Sequence, residues 1–441
     1  MNANKAWILV VAMASSGAWA AAAAGAVLTH GPIVADVQPD AVQVWVRTSE
    51  AAAVQVVAGT LVSPIVVTEP ASDFTARLRL TGLAPSTSYD YSVWVDDVPV
   101  AWRRLHTAPP RGTLPESGIR FAVMADAWTG TTSHSFASAV ALDLDGFVLL
   151  GDYDHRNPGT NVSTSAGVLA KIRNMHKDLR SPTGSPLGRS FAAALTEQTD
   201  SGHLLMRKLD DHDALWDNVN GKARWWPEAK QAFVEYHPLA ADNGLPLGMW
   251  ESTVYGGVAL IGLDLRSQRT VPGQSTCQVC TILGAQQKAW LSERLAAYAA
   301  DPDISWIVLL STVPVNPRQA KSDTWSGYAL DRQWLFNQVV SSGAAPKLVV
   351  VSADCHFGSI VLPPLSPLPE LNSPMLGEPG TSIGNTCSNN DNQWTLNQPS
   401  ARPGFGLVTV TPAGLTLEVR GIDGTVATSK SGAPMRVVLT Q

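Results

Sequence analysis

The chain has 441 residues, 45% hydrophobic and 15% charged, proportions that exclude a disordered chain. Its 37 Asp and Glu outnumber 31 Lys and Arg, a net charge of −6 with no basic run, which argues against a nucleic-acid-binding surface. The length exceeds one ordinary domain of roughly 100–200 residues, so two or more cores are expected. Residues 1–20 read as a signal peptide: Lys5 is the charged start, Ala6–Ala14 the apolar stretch and Ala18-Trp19-Ala20 the cleavage site. That apolar stretch is about half of the ~20 residues a membrane span needs. No later run is long and apolar enough to cross a bilayer, and no Arg-Arg pair marks the twin-arginine route. The mature chain is expected to be exported, to the periplasm or the medium, by the general secretory route, with no membrane span after cleavage.

Residues 27–110 read as all-β. VQVWVR and YSVWV alternate at period two and are rich in β-branched and aromatic residues. The run Leu80 to Tyr91 resembles the tyrosine-corner segment of fibronectin type III sandwiches, in which a Tyr hydroxyl bonds to upstream backbone. Ala108 to Gly112 then reads as a linker.

From Arg120 onward the pattern changes to α/β. IRFAVMA, GFVLLG, HLLMRKL, VALIGLDL, SWIVLLS and KLVVVSA are short apolar runs, as expected of strands buried on both faces. Gln286 to Ala299 places Leu291, Leu295 and Tyr298 on one helical face. Pro363 to Pro403 is rich in Pro, Ser and Asn and reads as a segment covering a site. GFGLVTVTPAGLTLEVRG reads as a closing hairpin. Of the four cysteines, Cys277 and Cys280 sit in one loop and suit a local disulfide, while Cys355 and Cys387 are free or paired, a choice the sequence leaves open.

The chemistry lies at the ends of the apolar runs. IRFAVMA ends on Asp126. GFVLLG is followed by Asp152 and His155, HLLMRKL by Asp210-Asp211-His212-Asp213, and KLVVVSA by Asp354 and His356. Sites in α/β sheets form outside the carboxyl ends of strands, so these groups are expected to converge. That many carboxylates repel one another without cations, and Asp and His are ligands of divalent and trivalent metals. Arg156, Arg173 and His176 are candidates for binding a substrate phosphate. Arg266 and Arg269 are expected to buttress the fold, and Trp225, Trp226, Trp250 and Trp325 to pack in the core.

These motifs carry a family resemblance. GDYDH at Gly151–His155, DDHD at Asp210–Asp213, LDLRSQR at Leu263–Arg269, LGAQQKAWL at Leu283–Leu291, DTWSGYALDR at Asp323–Arg332 and SADCHF at Ser352–Phe357 follow one another in order. The chain resembles the PhoD-like alkaline phosphatases, a branch of the calcineurin-like metallophosphoesterases, from about Leu28 to the C-terminus. The resemblance implies a fibronectin type III-like N-terminal domain at 27–110 and a catalytic domain at 118–441 with a four-layer α/β/β/α sandwich. It implies an exported dinuclear-metal hydrolase of phosphomonoesters or phosphodiesters, acting through a metal-bridging hydroxide. Two ions are implied, with iron, calcium, zinc and manganese all open. Asp152 would bridge them, Asp126 and His356 would complete the first site with His155, and Asp211 and Asn218 would serve the second. Asp354 falls in the same shell. His212 would protonate the leaving alkoxide, oriented by Asp213.

Three positions depart from the family pattern. Asp126 stands where a Cys is common, His155 where an iron-binding Tyr is common, and Thr312 where the wider superfamily has a metal-binding His. The first metal is therefore not expected to be the usual ferric ion. The alternatives are a phospholipase-type phosphodiesterase of the same fold, or a secreted binding protein that has lost catalysis. Oligomeric state is not encoded in these motifs.

Overall fold

The computed structural model describes residues 25–127, 134–152, 154–196, 203–237, 248–270, 280–319, 322–377, 387–400 and 402–441. The signal-peptide reading of residues 1–20, Tyr153 and Cys277 lie outside the described residues. No helix among the described residues is long and apolar enough to cross a membrane.

Two large sheets face each other. One has nine strands, ordered Arg436–Leu439, Gly414–Gly421, Gly404–Thr411, Ile119–Met124, Gly146–Leu149, Leu204–Arg207, Leu28–Ala35, Ala41–Thr48 and Thr75–Thr81. The other has seven, ordered Glu251–Tyr255, Val258–Gly262, Trp306–Leu310, Leu348–Ser352, Glu370–Asn372, Ser359–Val361 and Leu396–Asn397. All six apolar runs of the α/β region form strands, and the period-two pleat explains their composition. Val123, Val148, Leu260, Val308 and Val351 point into a core between the sheets. Their neighbours Ala122, Met124, Phe147 and Leu149 point outward to the helices Ser165–Asp178, Pro186–Thr196 and Trp226–Tyr236. Ile261, Ile307, Leu309 and Val350 point outward to Gly284–Ala300 and Ala329–Ser341. Both faces of both sheets are thus covered, which gives the α/β/β/α sandwich.

The helix read from Leu291, Leu295 and Tyr298 is Gly284–Ala300, with those three residues buried. Gln287 on the same face closes a pair with the Asp264 backbone: its Nε2 donates to Asp264 O (2.7 Å) and its Oε1 accepts from Asp264 N (2.8 Å). This physically couples the LGAQQKAWL and LDLRSQR segments. The Pro363–Pro403 segment carries more structure than a loop, because Glu370–Asn372 inserts beside Leu348–Ser352 as a parallel strand.

The N-terminal region is all-β. Its second sheet holds Leu61–Val62, Ala53–Ala58, Ser88–Val95 and Val98–His106, with Val66–Val67 paired to Ala53–Ala58. The Tyr89 hydroxyl accepts a hydrogen bond from Ala84 N–H (2.8 Å), the tyrosine corner expected from sequence. The region is not a detached module. Leu28–Ala35 lies parallel to Leu204–Arg207, with Ala35 opposite Leu204, so the nine-stranded sheet continues into it. Trp45 is fully buried, and its indole N–H reaches Glu235 O (2.8 Å) on the other side of the junction.

His203 sits in the same seam. His106 N–H donates to its Nε2 (3.3 Å), and burial, aided by the nearby His106, lowers the His203 pKa to about 4. The ring is neutral in the fold and would take up a proton near pH 6.5 once unfolded. The unfolded state therefore binds more protons below that pH, and stability is lost as pH falls from about 6.5 towards about 4. At pH 5 the single-site cost is about 2 kcal/mol. His203→Asn is expected to narrow the gap between unfolding midpoints at pH 7 and pH 5, measured by denaturant titration. An unchanged gap would contradict this.

Candidate metal centre

The acidic and imidazole groups converge where the carboxyl ends of strands from both sheets meet. Asp126, Asp152 and Asp211 follow three adjacent parallel strands of the nine-stranded sheet, whereas Asp354 and His356 follow Leu348–Ser352 in the facing sheet. One sheet edge was the simpler expectation; the cleft between two edges is what the layers produce.

The chain turns sharply to aim these side chains inward. Asp126 (φ 56°), Asp152 (φ 49°), Asn157 (φ 51°), Asn218 (φ 61°), Asp354 (φ 72°) and His356 (φ 63°) all lie in the left-handed region that most side chains avoid. Gly151 must be glycine: at φ 85°, a Cβ would come within 2.5 Å of Asp210 Cβ.

Four groups of ligand atoms lie within 4.8 Å of one another: Asp126–His155–His356, Asp152–His155–His212, Asp152–Asp210–Asp211 and Asp211–His212–Asp217. His155 is shared by the first two and Asp152 by the second and third. The His155 Nε2 is 3.9 Å from Asp152 Oδ2, and the His356 Nε2 is 3.8 Å from Asp126 Oδ1. Asp354 N–H donates to Asp126 Oδ2 (3.1 Å).

The protonation states suit a cation. His155 Nδ1 is 2.7 Å from Ala127 O, which only accepts, so Nδ1 carries the hydrogen and the Nε2 lone pair faces the cluster. Burial and the adjacent His212 lower the His155 pKa to about 3, so the ring is neutral. Burial, then the charges of Asp211, Asp210, Asp213 and Asp126, push the Asp152 carboxyl well above its usual range. For Asp211, burial opposes ionisation, but the Arg266 guanidinium, His212 and the Asn218 N–H outweigh it and hold the carboxyl below its usual range.

His212 lies at the rim with its side chain 19% exposed. Its Nδ1 is 2.7 Å from Asn157 Oδ1, and its Nε2 is 3.7 Å from the exposed Asp217. The amide oxygen fixes a proton on Nδ1 and leaves Nε2 turned towards solvent and any bound ester.

Residues 210–363 match a family described as PhoD-like phosphatase. The chain carries a PhoD-like phosphatase domain. The matched family is one of phosphatases. Residues 25–113 match a family described as a domain of unknown function, DUF7800. A solved structure of PhoD aligns with 94% of this chain and 88% of its own at 18% identity, with a TM-score of 0.70. A purple acid phosphatase from yellow lupin (Lupinus luteus) seeds aligns with 94% of this chain and 74% of its own at 13% identity, TM-score 0.60. At such identities the likeness is one of fold. No curated protein matches the chain.

Several expected site residues of the phosphatase lie elsewhere in the structure. The Arg156 guanidinium pairs with Asp154 (Nε–Oδ2 2.6 Å) and Asp178 (3.0 Å), at the base of the helix Ser165–Asp178. Arg173 grips Glu235 through two bonds (2.7 and 2.6 Å) and reaches Ala71 O (2.7 Å), joining the two regions of the chain. His176 is fully buried and stacks on Tyr236. Arg156 is held by Asp154 of its own loop and by Asp178, Arg173 by Glu235, and His176 is packed on Tyr236, so these side chains are engaged away from the cluster. Asp213 uses Oδ2 to accept from Asp210 N–H (3.1 Å), capping its own short helix, and Asn157 takes the place expected of it beside His212. Asn218 donates its backbone N–H to Asp211 (2.6 Å), while its side-chain amide turns to Asp217 (2.8 Å). The four tryptophans are buried in the core, as expected.

Asn157, Asp210 and Arg266 were not singled out as site residues from sequence. The signal for Asn157 was Asn before Pro in a turn, two residues after His155. Thr312, in the place of a superfamily His, donates its hydroxyl to Asp210 Oδ1 (3.0 Å). Asn157→Ala is expected to lower kcat about tenfold, the worth of one hydrogen bond, with metal content unchanged. Wild-type kcat in a steady-state assay would remove Asn157 from the site.

Proposed function

We propose that this protein is an exported phosphoric ester hydrolase whose cleft would hold two cations, with Asp152 available to both. The observation that carries this reading is that Asp152 is shared by two ligand groups, one with His155 and His212 and one with Asp210 and Asp211. Asp126, Asp152, His155 and His356 form one half, with a neutral His155 imidazole and a buried Asp152 carboxyl pushed up by neighbouring carboxylates. Asp152 and Asp211 form the other, with Asp354 close to the first half through its N–H bond to Asp126. The donor set fits hard or borderline cations such as iron, calcium, zinc or manganese. Cations held there would neutralise phosphate oxygens and favour ionisation of a water.

The residues of the chain divide the remaining work. His212, held by Asn157, faces the entrance, where its Nε2–H in the protonated ring donates to the leaving oxygen. Arg266 holds Asp210 and Asp211 in place from behind. Phosphate monoesters and diesters both suit this arrangement. Export is supported by the leader at residues 1–20 and by a disulfide between Cys355 and Cys387, a bond that persists in oxidising compartments.

The test is hydrolysis of p-nitrophenyl phosphate and bis-p-nitrophenyl phosphate with and without chelator, alongside elemental analysis. Chelation is expected to abolish turnover of both esters and to lower the melting temperature. Full turnover after proven removal of metals would overturn the reading.

A further inference from the structure

We propose that the Cys355–Cys387 disulfide is a positioning device for the first cation half, fastening the turn that carries Asp354 and His356. This inference rests on the cation-site reading above.

Cys355 is the residue between Asp354 and His356, and both flanking residues sit in the left-handed region, at φ 72° and φ 63°. A turn with two such non-glycine residues relaxes unless its surroundings hold it. Asp354 N–H holds its start through Asp126 Oδ2 (3.1 Å), and other bonds hold its end. Asn372 Nδ2 donates to Phe357 O (2.7 Å), and Gly358 N–H donates to Gln398 Oε1 (2.7 Å) while Gln398 N–H returns a bond to Gly358 O (2.9 Å).

The turn packs into a small core of its own. Cys355, Phe357, Val361, Cys387 and Trp394 form a cluster separate from the three large cores, and Phe357 meets Trp394 edge-on at 5.8 Å. The disulfide closes this cluster and spans 32 residues of chain. Cys355 is fully buried and Cys387 is 6% exposed. The bond is therefore structural and shielded from reductants.

The segment on the far side of the bond is itself tied to the loop leaving the neighbouring strand of the same sheet. Gln319 donates to Ser388 O (3.2 Å) and accepts from Ser388 N–H (3.0 Å), and Asn316 Nδ2 donates to Gln393 O (2.8 Å). Asn316 and Gln319 follow Thr312 on the loop leaving Trp306–Leu310. Residues 387–398 thus act as a strap between two loops at the cleft, with the disulfide as its covalent end. Because the turn's side chains are ligands and its backbone is unfavourable, releasing the strap misplaces ligands without removing any.

The test is the pair Cys355→Ser with Cys387→Ser, prepared metal-free and titrated with zinc or manganese by calorimetry. Supporting partners outside a metal's ligand set are worth roughly 10–100-fold in affinity. The pair is expected to weaken first-half binding by that factor, and saturating metal is expected to restore kcat, because every ligand is still present. A general structural role would lower the melting temperature of the metal-free protein without moving metal affinity, and that outcome would overturn the proposal. If the serine pair does not fold, Cys355→Ala with Cys387→Val keeps the small core filled and takes its place. Failure of both pairs to fold would also overturn it, because the bond would then serve the fold as a whole. Wild-type protein that binds no cation would instead defeat the cation-site reading, leaving the two failures distinguishable.

Discussion

Asp152→Asn is expected to abolish tight metal binding and lower kcat on the order of 10²–10³-fold or more. Asparagine keeps the shape but loses the charge at a carboxylate shared by the ligand group of His155 and His212 and that of Asp210 and Asp211. His212→Ala is expected to reduce kcat by a similar factor, from about 10²-fold upward, while retaining the metals, because His212 acts on the leaving oxygen. Elemental analysis of the two variants separates the roles. Thermal stability should move in opposite directions with and without metal. The Asp152 carboxyl is pushed well above its ordinary pKa by burial and by four neighbouring aspartates. A group with a raised folded pKa costs stability once pH rises through that value, so removing its charge should stabilise the metal-free fold near neutral pH. In chelator, Asp152→Asn is expected to melt at or above wild type. In excess metal the order should reverse, since only wild type gains from binding. A variant that melts below wild type in chelator would show that the cluster is stable without cations.

Arg266→Ala is expected to cost roughly 3–5 kcal/mol of folding stability, enough to leave many variants insoluble. Arg266 has no exposed surface and lies among three buried aspartates. It pairs with Asp210, with Asp211 (3.3 Å) and with Asp323 (3.3 Å). Burial opposes its charge, yet those three carboxylates hold its pKa well above the ordinary value. Removing it leaves Asp210 and Asp211 uncompensated, while Asp323 retains Arg269 (2.6 Å). Arg266→Lys should rescue little, because a single ammonium cannot reach three carboxylates as the planar fork does. Denaturant titration would measure the loss; a variant within 1 kcal/mol of wild type, a margin well under that of breaking a buried pair, would mean that the aspartates re-pair or protonate at little cost.

Hydrophobic patterning was enough to locate the strands and the reactive edge. Six short runs of β-branched and aliphatic residues fit buried strands, and in the fold each turns one face to the other sheet and one to helices. The polar residues that end them had to emerge at the strand exits, so Asp126, Asp152, Asp211, Asp354 and His356 were legible as one site. Local backbone chemistry also made the Tyr89 corner and the Leu291–Leu295–Tyr298 helix readable. Tertiary structure decided which charges face the cleft. Arg156, Arg173 and His176 stand near the motifs in sequence, but Asp154, Asp178, Glu235 and Tyr236 claim them, some from more than 50 residues away. Arg266 enters the centre because Asp210 and Asp323, 56 and 57 residues distant, meet it there. Periodicity reports the faces of one segment, while a buried charge goes to whichever partner the folded layers bring within hydrogen-bonding reach. That choice, like the joining of Leu28–Ala35 to the catalytic sheet and the pairing of Cys355 with Cys387, is made only when distant segments pack.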